Sequence, residues 1–429
     1  MWHPVYRDSY SMEALRAAAM GDDAAGLWDG LRAASRLAHR GCQAGTLAVT
    51  PFNGRLFSPT RTPLAERTGL DDEAARRAIV AVSTRPAVDR EGREPLGYGN
   101  LGVEQLGAVY ETLLDYRPHV ERGEGRRAPH VSLRTGGDAR KASGSFYTPQ
   151  ALVDHVLRSA LWPLVRGASP EEILSRRVLD PAMGSGAFLV GACRYLAGAY
   201  EVALVEHGRC HASDLGPPER AATRRLIAER CLFGVDLNPT AVQLARLSLW
   251  LTTLAADRPL TFLDHHLRVG DSLAGVWLSR LRTPPVPRRA SSPLPLFPDE
   301  ALANVVRATL PARFRLAMDP NDTVEHVRAK ERTLAALTAD GAPLARWTTV
   351  ANLWCAAWLG SPPVPASAFA DLADTILTGG GTLPRATARE LVRTADAAAT
   401  SRRFFHWELE FPEVFFDAAG ARRDRKSTR

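Results

Sequence analysis

Val178-Leu179-Asp180-Pro181-Ala182-Met183-Gly184-Ser185-Gly186-Ala187-Phe188-Leu189 reads as a buried strand, a turn of small residues and the opening of a helix. Its two glycines let the backbone turn tightly and approach a ligand where a Cβ would collide. Amides at the start of the following helix can then face that ligand. Alone, such a loop is a generic nucleotide signal. Here it has companions in fixed order. Gly144-Ser145-Phe146-Tyr147-Thr148-Pro149 lies upstream, and Phe233-Gly234-Val235-Asp236-Leu237-Asn238-Pro239 and Val269-Gly270-Asp271-Ser272-Leu273 lie downstream.

Strand and helix signals alternate around the loop. Helices are expected at 151–164, 188–206, 219–231 and 240–254, and strands at 177–179, 232–235 and 266–269. Alternation with polar groups at strand C-termini predicts an α/β domain with a doubly wound parallel sheet, whose carboxyl edge is a ligand crevice. Asp180, Asp236 and Asp271 each follow apolar residues and fall on that edge. An acid at the end of the second strand can accept the hydroxyl hydrogens of a ribose, which makes Asp236 the candidate; capping the next helix is its structural alternative. An acid at the third strand end, Asp271, can accept from the amino group of an adenine ring. A dinucleotide unit is disfavoured. Its acid follows the glycine loop by roughly 20 residues, its loop is Gly-x-Gly-x-x-Gly, and a triphosphate loop would carry a lysine.

Residues 1–140 read as mainly helical, with helices at 12–20, 24–37 and 101–114. In the last of these, positions 103, 106, 109, 110, 113 and 114 form the buried face. Glu121 to Lys141 reads as a charged loop whose arginines could touch phosphates. Beyond Leu273, 282–298 is a Pro-rich linker, and 301–400 is helical, with Trp347, Trp354 and Trp358 expected in a core. The chain has 429 residues, 45% hydrophobic, and a net charge of +7. That charge suits a nucleic acid but is weak support, because arginine replaces lysine almost throughout. The five cysteines are scattered, which supports neither a disulfide framework nor a zinc site and fits a reducing cytoplasm. No apolar run is read as a membrane span, and the start is not that of a signal peptide.

Taken together, these motifs resemble the S-adenosylmethionine-dependent amino-methyltransferases of DNA, in particular the adenine-specific enzymes of restriction-modification and phage-defence systems, including the fused type IIG kind. Phe146-Tyr147-Thr148-Pro149 resembles their first motif in the gamma arrangement. Leu106-Gly107-Ala108-Val109-Tyr110-Glu111 and Phe405-His406-Trp407-Glu408-Leu409-Glu410-Phe411-Pro412-Glu413-Val414-Phe415 are similar to segments of the same group. The resemblance implies a Rossmann-like methyltransferase sheet with a helical N-terminal domain and a helical insertion. It implies S-adenosylmethionine as cofactor, with Tyr147 and Thr148 at the methionine end. Asp180, Pro181, Ala182, Gly184 and Gly186 would line its middle, Asp236 and Leu237 the ribose, and Asp271 and Ser272 the adenine. Double-stranded DNA would present a flipped adenine.

One element of that family is missing. Transfer to an exocyclic amine uses Asn-Pro-Pro-aromatic, whose polar groups hold the amine while the ring stacks on the base. Asn238-Pro239 is followed by Thr240, and Ser361-Pro362-Pro363-Val364 lacks the aromatic. No catalytic residue is therefore assigned, and no nuclease motif is read in 1–140. The domains expected are 1–140 (helical), 141–275 (cofactor core), 276–418 (linker and helical insertion) and 419–429. The last, ending Asp424-Arg425-Lys426-Ser427-Thr428-Arg429, is expected to be a non-native tail on a cut reading frame. The missing C-terminal segment would carry catalysis and target recognition. The remaining alternatives are a methyltransferase acting on RNA, protein or a small molecule, and a non-catalytic cofactor-binding accessory subunit.

Overall fold

The computed structural model describes residues 4–21, 25–45, 47–49, 51, 57–60, 62–88, 91–97, 105, 107, 109, 116–121, 130–135, 148–253, 263–286, 296 and 299–423. It has two compact units. The first contains the residues up to Gly102 and the piece Pro320–Val327; the second comprises Val103–Thr253, Phe262–Asp319 and Arg328–Arg429.

In the first unit, helices Met12–Met20, Leu27–Arg40 and Asp72–Ser83 close on Ala19, Leu27, Ala75 and Ile79. Ser11 and Asp71 cap two of them by accepting from Ala14 and Ala74 amides. The helix expected from residue 24 starts at Leu27, because Gly26 before it is left-handed at φ 69°. Two short antiparallel hairpins interrupt the helical reading: β1 (Cys42–Ala44) with β2 (Leu47–Val49), and β3 (Thr84–Pro86) with β4 (Arg93–Pro95). A third hairpin, β5 (Tyr116–Glu121) with β6 (His130–Thr135), belongs to the second unit and corrects the reading of 121–141 as loop. Val120, Val131 and Leu133 are exposed on it, so no inward-facing apolar alternation announced it. Of the expected helix 101–114, only Gln105, Gly107 and Val109 are described, all helical. Gly107 is buried, whereas Val109, expected to be buried, is 53% exposed.

The second unit holds three parallel strands, β7 (Val178–Asp180), β8 (Leu232–Asp236) and β9 (Leu267–Val269), in the order β7-β8-β9. Helices Gln150–Val165, Pro170–Ser175, Ala187–Glu206, Pro217–Cys231 and Pro239–Thr252 connect and flank them, each within about two residues of its expected place where one was expected. Prolines open three of these helices at positions whose amides have no intrahelical partner. Among the described residues the strand order never reverses, so the doubly wound pattern is not seen, while the α/β arrangement is. A reversal needs a strand on the other side of β7, and the chain after 275 is chiefly helical.

Helix Ala187–Glu206 is the hub. Leu189, Val190, Cys193 and Leu196 are buried in one cluster with Val153, Leu157, Ile227 and Leu249. Each such side chain contributes roughly 1.5–3 kcal/mol by leaving water. This helix is long and apolar enough to cross a bilayer, which the sequence reading did not credit; eight of its residues are buried inside the unit.

Beyond β9, helices Asp299–Met318, Val324–Leu337, Pro343–Leu359, Phe369–Thr378 and Arg385–Arg402 follow, as expected for a helical region. Trp347 is buried, and the Trp354 indole donates to the Thr283 carbonyl at 3.0 Å. Trp358 departs from the expected core position: it is 50% exposed, because it lies at the end of its helix, where its ring meets Trp354. Short helices Trp407–Glu410 and Pro412–Phe415 close the chain, anchored by a buried Arg313–Glu413 ion pair at 3.1 Å. In the segment expected to be non-native, Arg422 pairs with Glu408 at 2.7 Å, and 424–429 lie outside the described residues.

Candidate functional site

Parallel pairing sets the three acids on a diagonal. Asp180 pairs with Gly234, and Asp236 pairs with Val269. Asp236 therefore stands two residues beyond the level of Asp180, and Asp271 two beyond that of Asp236. With ~4.8 Å between strands and ~3.3 Å per residue, each backbone step is about 8 Å. All three lie at the carboxyl ends of adjacent parallel strands, where ligands of open α/β sheets bind.

The loop after β7 is lashed to β8. The Met183 amide donates to the Val235 carbonyl at 3.0 Å, and the Gly184 amide donates to Asp236 Oδ2 at 2.9 Å. Gly184 and Gly186 are left-handed, at φ 55° and 87°. A Cβ on Gly186 would also lie 3.1 Å from the Ala245 Cβ. Pro181 and Ala182 are exposed, and Met183 is buried. The helix expected at Gly107 meets this same loop: a Cβ there would stand 2.9 Å from Ser185 Oγ. The sequence reads that helix as a packing helix and its 106–111 segment as similar to the methyltransferase group, without predicting this contact.

Asp236 also accepts from the Asn238 amide at 2.7 Å. It is not the cap of the next helix. Asn238 takes that position, accepting from Thr240 at 3.0 Å, since Pro239 begins the helix. Leu237 is 43% exposed beside it. Asp180 accepts from the Ala182 amide at 3.0 Å through Oδ1, while its Oδ2 is buried with no hydrogen-bond partner among the described residues. Burial first, and then the nearby charge of Asp236, raises the pKa of Asp180 above the ordinary carboxylate range, and the Ala182 amide opposes this.

The Asp271 turn rests on the chain from Arg403 onward. The Asp271 amide donates to the Arg403 carbonyl at 2.7 Å, and its Oδ1 accepts from Leu273 at 3.0 Å. Phe404 bridges to Asp271 in parallel, and the Trp407 indole donates to the Ser272 carbonyl at 3.1 Å. Gly270 and Gly275 leave room for Phe405: Cβ atoms there would lie 2.4 Å from its ring and 1.9 Å from its carbonyl oxygen. His406 is buried and neutral. The Val276 amide donates to Nδ1 at 3.3 Å, so Nε2 carries the proton toward Asn352 Oδ1 at 3.0 Å. Loss of water holds its pKa down at about 4.

Asp180, Gly184 and Asp236 are thus brought together, with Asp271 and Ser272 on the neighbouring strand end. Thr148 stands half-buried before helix Gln150–Val165, and no hydrogen bond or ion pair among the described residues joins it to that group. Tyr147 lies outside the described residues. Arg403 and Trp407 were not read from the sequence as site residues. Trp407 had a signal, the aromatic segment around it; Arg403 had none. Among the described residues, no group of three His, Cys, Asp or Glu side chains is placed to hold a metal.

Residues 134–275 match the family model of the N-6 DNA methylases, the adenine-specific group whose motifs the sequence resembles. The chain is 34% identical over 143 residues to the adenine-specific methyltransferase PglX of Streptomyces coelicolor, a match covering 32% of this chain and 10% of the relative. It is 24% identical over 276 residues to a Methanocaldococcus jannaschii protein named as a type II restriction enzyme and methyltransferase, covering 53% of this chain and 21% of that protein. The matches thus span between a tenth and about a fifth of the length of these curated relatives. No solved structure matches the chain.

Proposed function

We propose that this chain binds S-adenosylmethionine and is the cofactor-binding part of an enzyme that methylates the exocyclic amino group of adenine in DNA, within a restriction-modification or defence system. The observation that carries the reading is the diagonal of Asp180, Asp236 and Asp271 beside a left-handed glycine loop, inside the residues that match the methylase model.

The residues fit the cofactor. Asp180 Oδ2 is a buried acceptor without a hydrogen-bond partner among the described residues. Among the described residues, a Cβ at Gly184 would meet nothing within 4 Å, which leaves space in front of the loop. Each Asp236 oxygen accepts one amide and keeps a further lone pair for a ribose hydroxyl. Asp271 spends Oδ1 on its own turn, leaving Oδ2 for an amino group of adenine. Leu237 and Ser272 flank these two acids, and Tyr147 and Thr148 serve the methionine end. When bound, the cofactor supplies an electrophilic methyl group. In this reading 141–275 is the cofactor core of a Rossmann-like methyltransferase sheet, 1–140 is a helical addition interrupted by short hairpins, 276–418 is a helical addition, and the enzyme works in the cytoplasm on double-stranded DNA with a flipped adenine.

The sequence holds no Asn-Pro-Pro-aromatic. Asn238-Pro239 caps and begins a helix, and Val364 of the Ser361-Pro362-Pro363-Val364 stretch is buried in a helical core. The chain is therefore expected to bind cofactor without transferring methyl groups. The same absence favours, as a second reading, an accessory subunit that keeps the cofactor fold. Calorimetric titration with S-adenosylmethionine tests the first half: a well-folded sample giving no binding heat contradicts it. Transfer of a tritiated methyl group to DNA by this chain alone would contradict the second.

A further inference from the structure

Helix Arg385–Arg402 ends in an unusual way. Arg403 terminates it at φ 54°, ψ 51°, and is the one non-glycine residue with positive φ among the described residues. Glycine ordinarily fills such a position, because a Cβ there crowds the following carbonyl oxygen; asparagine offsets this by bonding locally. The conformation is held from several sides: the Arg403 amide donates to Ala399, its carbonyl accepts from Asp271 at 2.7 Å, and the next residue bridges to Asp271. A strained non-glycine fixed this firmly points to a task for its side chain.

That side chain reaches the other strand-end turn. The Arg403 guanidinium donates to the carbonyl of Leu237, the residue following Asp236. One residue thus joins the turn after β8 to the turn after β9, by side chain to the first and by backbone to the second. The two turns carry the acids proposed for ribose and adenine. Among the described residues, the carboxylates of Asp236 and Asp271 accept from main-chain amides, at Gly184, Asn238 and Leu273, and none of those three bonds ties the two turns to each other. A β-ladder bond does link them, from the Gly270 amide to the Asp236 carbonyl at 3.0 Å, and the Arg403 guanidinium adds a second tie one residue further along, at Leu237.

We infer that Arg403 is a positioning residue for the nucleoside half of the cofactor: it fixes the separation of the Leu237 and Asp271 turns between which the base and ribose lie. The inference rests on the cofactor reading above. It assigns no contact between Arg403 and the reacting methyl group.

The test separates strain from positioning. Arg403→Gly relieves the backbone and removes the guanidinium, so the thermal midpoint should hold or rise while binding weakens. The affinity for S-adenosylmethionine and for adenosine, each measured by calorimetry, should fall together by about tenfold, the worth of one charge-assisted hydrogen bond. Arg403→Lys, which keeps a donor on a shorter reach, should recover part of both. Wild-type affinity of Arg403→Gly for the two ligands overturns the inference and leaves the cofactor reading intact. Should Arg403→Gly lose its cooperative melt, Arg403→Lys decides alone, and full wild-type adenosine affinity there overturns the inference. A wild-type chain that binds neither ligand overturns both.

Discussion

The Gly184 amide donates to the Asp236 carboxylate across 2.9 Å, coupling the loop after one strand to the acid at the end of the next. The acid thereby shapes the glycine turn as well as facing whatever lies in front of it. Asp236→Ala removes an acceptor from two amides, Gly184 and Asn238. We expect a stability loss of about 1–3 kcal/mol, seen in urea denaturation, and a fall in S-adenosylmethionine affinity of at least about tenfold. Asp236→Asn, which keeps one acceptor, should fall between wild type and alanine in both.

Asp180 should behave in the opposite sense for stability. Its folded pKa is raised by burial and by Asp236, so at neutral pH the charged form works against the fold. Asp180→Asn keeps an acceptor for Ala182 and drops the charge. A thermal midpoint that stays or rises, together with weaker cofactor binding, is the expected pair of results, the usual exchange between stability and function at a site.

Two glycines of helix Ala187–Glu206 make a paired prediction. A Cβ on Gly191 would lie 2.5 Å from Leu157 Cδ1 and 3.0 Å from Val153 Cγ1, whereas one on Gly198 meets nothing within 4 Å. Gly191→Ala should destabilise by ~1–3 kcal/mol through overpacking. Gly198→Ala should stabilise by ~0.5–1 kcal/mol through helix propensity. Thermal melts of the two variants beside wild type give both signs.

His406 makes stability pH-dependent. Its pKa is about 4 when folded and roughly 6.5 when unfolded. Between these values the unfolded chain binds more protons, so stability rises with pH. The contribution is complete above about pH 6.5 and is lost as pH falls toward 4, on the order of 3 kcal/mol for one such group. His265 and His266, also buried, are shifted in the same direction. Denaturation series from pH 4 to 7 should show this slope, and His406→Gln should reduce it by about one proton.

The legible part of the fold was the part written in apolar runs. β7, β8 and β9 are short apolar strands, buried in β8 and half-buried in β7, each ending in an acid or followed by one within two residues, and the helices between them keep one apolar face or are apolar throughout. Periodicity and turn chemistry were therefore enough to place them within about two residues. The hairpin β5–β6 was missed because its residues face outward and its composition is that of a charged loop. Trp358 was misplaced because a shared helix face says nothing about where the helix ends. The candidate site was legible where it is local: the glycine loop and the acid after each strand. It was illegible where it depends on partners more than a hundred residues away. Arg403 reaches Leu237 and Asp271 across 166 and 132 residues of chain, and no local pattern encodes that. Asn238, rather than Asp236, caps its helix for a local reason that the proline at the first helical position already states.

Helix Ala187–Glu206 carries one more implication, for how this protein is made. Leaving the ribosome, it is an oily twenty-residue segment that a membrane-insertion machine could accept. Its covers arrive on both sides of it in time: Gln150–Val165 is synthesised first, while Pro217–Cys231 and Pro239–Thr252 come later. Any shorter product ending before Thr252 leaves part of that oily surface bare, and should clump or stick to lipid where the longer chain folds.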